Sequence, residues 1–164
     1  MKTIEYRDIV NRTGWDSGPW DTEPDKVQWP DPLTGMPCLA VRQFSNGNWC
    51  GYVGVPEGHP FFGLDDTNDK LCNIEVHGGL TFSGPCREHN KEHGICHRPD
   101  PGEPDHVWWF GFDCCHALDL APGMVATIKK YGTGTGEFPG DKYRDLAYVK
   151  SECAELAKQL AQEN

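Results

Sequence analysis

Residues 37–55 read PCLAVRQFSNGNWCGYVGV, two runs rich in apolar, β-branched and aromatic residues on either side of Asn46-Gly47. An Asn-Gly pair readily takes the positive φ angles of a tight turn, so 37–44 and 49–55 are expected to pair as a β-hairpin. Further strands are expected at 73–82, interrupted by Gly78-Gly79, and at 106–113, where Val107, Trp108, Trp109, Phe110 and Phe112 dominate. No helical period separates successive strands. That removes the parallel crossover and predicts an antiparallel or mixed sheet of about four or more strands.

From Tyr143 onward the period changes. Leu146, Val149, Cys153, Leu156, Ala157 and Leu160 recur at three- and four-residue intervals, with Glu152, Glu155, Lys158 and Gln159 between them. This spacing predicts an amphipathic helix over 141–163 with Asp141 as its N-cap, its apolar stripe packed on the sheet or shared with a second copy in a homo-oligomer. The expected fold class is α+β. Residues 1–35, with Trp15, Trp20 and Trp29 among Pro, Asp and Gly, show neither period and are expected to wrap the surface irregularly, pinned by the three rings. The sheet then occupies 36–113, and all 164 residues form one domain with long irregular loops, 132–140 (GTGTGEFPG) among them.

Twenty-five acidic residues against 15 basic give a formal charge of −10. That balance opposes bulk nucleic-acid binding and attraction to anionic membranes. No apolar run is long enough to span a bilayer and none near the N-terminus suits a signal peptide, so a cytoplasmic location is expected. In a reducing compartment the eight cysteines read as thiols, metal ligands or core residues, and the fold is expected to need no disulfide.

Three segments carry polar chemistry. In His77-Gly78-Gly79, an imidazole at a strand end precedes two glycines that let a ligand approach the backbone; the structural alternative is a bulge with a packed histidine. Asp113, His116 and Asp119 follow the most hydrophobic strand at intervals of three, so a helical turn puts two carboxylates and an imidazole on one side, suited to a divalent metal or to acid-base catalysis. The competing reading makes Asp113 a cap and His116 a partner of a backbone carbonyl. The third segment, 86–97, offers Cys86, His89, His93, Cys96 and His97. A zinc clip through Cys86, Cys96, His97 and His89 (or His93) competes there with a Cys86–Cys96 disulfide formed on oxidation and with a loop that holds no metal. Nucleophile-elbow, dinucleotide-binding, HExxH, kinase and EF-hand signatures are missing from the sequence.

The stretches CGYVGVPEGHPFFG, EVHGGLTFSG, VWWFGFDCCHALDLAPG and YRDLAYVKSECAELAKQL together resemble a family of small, largely uncharacterised proteins of phage and prophage-bearing bacteria. The likeness covers most of the chain from Trp15 to Leu160, with Cys115 and Leu118 standing where a small residue and a glycine are expected. It implies an accessory protein of the host cytosol, with counter-defence as its role. On this reading His77, Gly78, Gly79 and His116, with Tyr52 or Trp109 stacking on a base, bind and sequester a phosphorylated or nucleotide-like molecule. In the enzymatic alternative, His77, Asp113, His116 and Asp119 hold a metal or act as general base to hydrolyse it. A rival of another class is an acidic inhibitor that docks on a host enzyme through exposed tryptophans.

Overall fold

A computed structural model describes residues 1–86 and 91–162. The fold is α+β: six strands, β1 (Ile4–Tyr6), β2 (Lys26–Pro30), β3 (Pro37–Arg42), β4 (Trp49–Pro56), β5 (Phe82–Pro85) and β6 (Val107–Asp113), form one open sheet in the order β1-β2-β3-β4-β6-β5. Every adjacent pair is antiparallel. The expected hairpin is β3–β4, closed by Gly47 at φ 76°. Two helices follow, α1 (Pro122–Tyr131) and α2 (Leu146–Gln162).

Alternation along the strands divides the core in two. On one face Trp49, Val53, Val55, Phe110 and Phe112 meet Val149, Cys153, Leu156, Ala157 and Leu160 of α2. Each fully buried aliphatic side chain on such a face contributes roughly 1.5–3 kcal/mol, so this stripe docks α2 along the sheet. The opposite face presents Leu39, Cys50, Tyr52, Val107 and Trp109. A loop covers it: Ile95 packs there, the His97 ring meets Trp109 edge-on at 5.3 Å, and Lys26 Nζ donates to Cys96 O at 2.7 Å.

Four expectations are corrected. The strand expected over 73–82 is irregular until Phe82, because Gly78 (φ 68°) and Gly79 (φ 87°) turn the chain out of the pleat. Within 1–35 lie β1 and β2, hidden because β2 buries Lys26 and Gln28, polar residues that read as surface. Gln28 is satisfied by donating to Lys2 O and Arg98 O while accepting from Arg98 N. The first turn of α2 is capped by Asp145, whose Oδ1 accepts from Tyr148 N at 2.8 Å, whereas Asp141 accepts from Phe138 N in the preceding turn. Helix α1 was not foreseen; Pro122 starts it, and Gly123 N donates to Asn46 O, docking it on the hairpin turn. Residues 132–140 form the expected loop. No helix among the described residues is long and apolar enough to cross a membrane.

Candidate metal centre

Strand β6 ends at Asp113, and the chain there turns sharply over 114–119. Asp113 Oδ1 accepts from Cys115 N at 3.0 Å, and Asp119 Oδ2 accepts from His116 N at 3.0 Å. Leu118 closes the turn at φ 72°, a left-handed conformation disfavoured for a leucine, and its side chain is exposed. The glycine turn at Gly78-Gly79 approaches from the other side, its back against α2: His77 N donates to Glu152 Oε2 at 2.9 Å.

The two segments meet over Asp119. His77 Nε2 lies 2.7 Å from Asp119 Oδ2, the His77 and His116 rings meet edge-on with centroids 5.5 Å apart, and His116 Nδ1 is 3.8 Å from both Asp119 Oδ2 and Asp113 Oδ1. One donor atom each from His77, His116 and Asp119 fall within 4.8 Å of one another, the single grouping of this kind among the described residues. The Asp119 side chain is 1% exposed, His77 12% and His116 35%, so the carboxylate is the floor and His116 the rim. Although part of the His116 ring reaches solvent, its Nδ1 is buried and has no hydrogen-bond partner.

Three residues not foreseen from the sequence hold this cluster. Arg144 Nε donates to Asp119 Oδ1 at 2.8 Å, Tyr148 OH lies 2.9 Å from His77 Nδ1, and Glu152 fixes the His77 backbone. Burial alone would raise the Asp119 pKa, but the Arg144 and His77 hydrogen bonds and the His116 amide outweigh it and hold the carboxyl below its ordinary value. Burial, reinforced by Glu152, pushes the Tyr148 hydroxyl up, so it stays protonated. Burial, then Asp119, does the same to the Cys114 thiol. Three carboxylates, Asp113, Asp119 and Glu152, border the cluster against one guanidinium, Arg144.

The remaining candidates fall elsewhere. Gly78 belongs to the cluster by close approach, since a Cβ there would sit 2.2 Å from the His116 ring, whereas Gly79 has open space around it. Tyr52 and Trp109 are buried on the sheet face opposite α2, so neither can stack on a ligand held by His77. The zinc clip is also corrected: Cys86 and Cys96 form a disulfide, His97 Nε2 pairs with Pro104 O at 3.2 Å, and His89 lies outside the described residues. A cavity of about 530 Å³ opens at the far end of α2, lined by Met36, Pro37, Pro56, His59, His97 and Val107, remote from the cluster.

An α+β protein with a buried carboxylate beneath two imidazoles is therefore the class that fold and site define. No protein-family model, curated protein or solved structure matches the chain.

Proposed function

We propose that His77, His116 and Asp119 hold one zinc ion and that this centre captures a phosphorylated, nucleotide-like small molecule, as an accessory protein of the phage type would do to intercept a host signal. The observation that carries the reading is the buried, unpartnered Nδ1 of His116, facing two carboxylates in a pocket of excess negative charge. A divalent cation satisfies both deficits at once. Binding through His77 Nε2 places the imidazole proton on Nδ1, where the Tyr148 oxygen accepts it, and Arg144 keeps the second Asp119 oxygen oriented. When bound, zinc supplies a Lewis-acidic position for a phosphoryl oxygen.

Asp113 supports a second reading, hydrolysis. Its carboxylate is partly exposed beside His116 and outside the ligand set, where it can take a proton from water. A docking inhibitor, the rival of another class, would rest on the acidic surface with Trp15 and Trp108, the two tryptophans that are partly exposed. Incubating zinc-loaded protein with linear and cyclic nucleotides and analysing the recovered material separates the cases. Retained, intact nucleotide supports capture and new products support hydrolysis; neither retention nor turnover contradicts both.

A further inference from the structure

Arg144 is tied to the centre in an unusual way. An arginine that serves only to neutralise a carboxylate commonly presents two nitrogens to its two oxygens. Here only Nε faces Asp119, at 2.8 Å, and neither Nη nitrogen makes a hydrogen bond or ion pair with a described residue. The guanidinium carbon lies 4.9 Å from the Tyr148 ring centroid, which holds the fork against that ring, and the side chain is 26% exposed. One Asp119 oxygen thus holds Arg144 while the other faces both imidazoles, so the fork and the imidazoles stand side by side across a single carboxylate.

We infer that the free Nη edge of Arg144 receives the phosphoryl group of the ligand, making Arg144 a specificity-determining residue for a tetrahedral dianion; this rests on the zinc reading above. A planar fork with two free donors matches two oxygens of a phosphoryl group, and a third oxygen faces the ion. Without the ion, Asp113, Asp119 and Glu152 repel an anion from the same place. Phosphate binding is therefore conditional on metal.

The test titrates inorganic phosphate, and separately acetate, into zinc-loaded and chelator-treated protein, comparing wild type with R144K and R144Q while zinc per chain is measured independently. The expected result is phosphate binding only to zinc-loaded protein, weakened roughly tenfold or more in both variants relative to wild type, the scale for charge-assisted hydrogen bonds, with one zinc still bound per chain at saturating zinc. Phosphate affinity unchanged in R144Q with zinc retained overturns the role of Arg144 and leaves the metal centre standing. Loss of zinc in both variants reduces Arg144 to a support for Asp119 and overturns the inference. Acetate binding as tightly as phosphate overturns the phosphoryl class. A wild type that binds no zinc sinks the metal centre and this inference together.

Discussion

Gly78 and Gly79 form a matched pair. Both take positive φ, so alanine at either is strained by about 1–2 kcal/mol, but only at Gly78 does the new methyl strike the His116 ring. Gly78→Ala is expected to abolish zinc binding and Gly79→Ala to keep it; equal zinc affinity in the two variants would contradict His116 as a ligand. The sequence exposed His77, Asp113, His116 and Asp119 because each stands at a chain turn beside glycines or at intervals of three. It hid Arg144, Tyr148 and Glu152, because polar residues beside an apolar helical stripe look like a solvated face. That Tyr148 and Glu152 face His77 follows only once α2 is docked. The Leu118 position is strained in a way a glycine would relieve.

At the scale of elements, strands with alternating or continuous apolar character (β3, β4 and β6) were legible, and β2, which buries Lys26 and Gln28, was not. Lys26 and Gln28 of β2 are buried because the loop covering the second face supplies backbone carbonyls to both. That loop is held by the Cys86–Cys96 disulfide, which puts the expectation of a fold indifferent to reductant to a direct test. A cross-link spanning a sequence separation of 10 contributes about 2–3 kcal/mol in the chain-entropy account. Denaturant unfolding with and without reductant should differ by that amount, and Trp109, buried under His97, should become more accessible to a fluorescence quencher on reduction. Coincident unfolding curves would mean that the loop stays seated without its cross-link.

The whole molecule is joined at Glu23. Its carboxylate accepts from Arg42, Trp49 and Tyr143 side chains and from Leu146 N, tying the N-terminal segment, the sheet and the start of α2. Burial would raise its pKa, but these donors prevail and lower it. Its stabilisation is therefore present above the ordinary glutamate range and lost as pH falls through the depressed value. Glu23→Gln leaves buried Arg42 with Asp25, 3.5 Å away, as its remaining counter-charge and should flatten the acid limb of the stability profile; an unchanged acid limb would place the acid-labile contact elsewhere. This framework fixes α2 independently of the zinc ligands, so the site can be altered without unfolding the chain. The central claim is then tested most directly by counting zinc bound per chain, after chelator treatment and reloading, in wild type and His116→Ala. One zinc in wild type and none in the variant is predicted, with the melting temperatures of the two metal-free proteins within a few degrees of each other because His116 Nδ1 makes no hydrogen bond to lose. A folded wild type without zinc, or a His116→Ala variant that still binds one, would contradict the account.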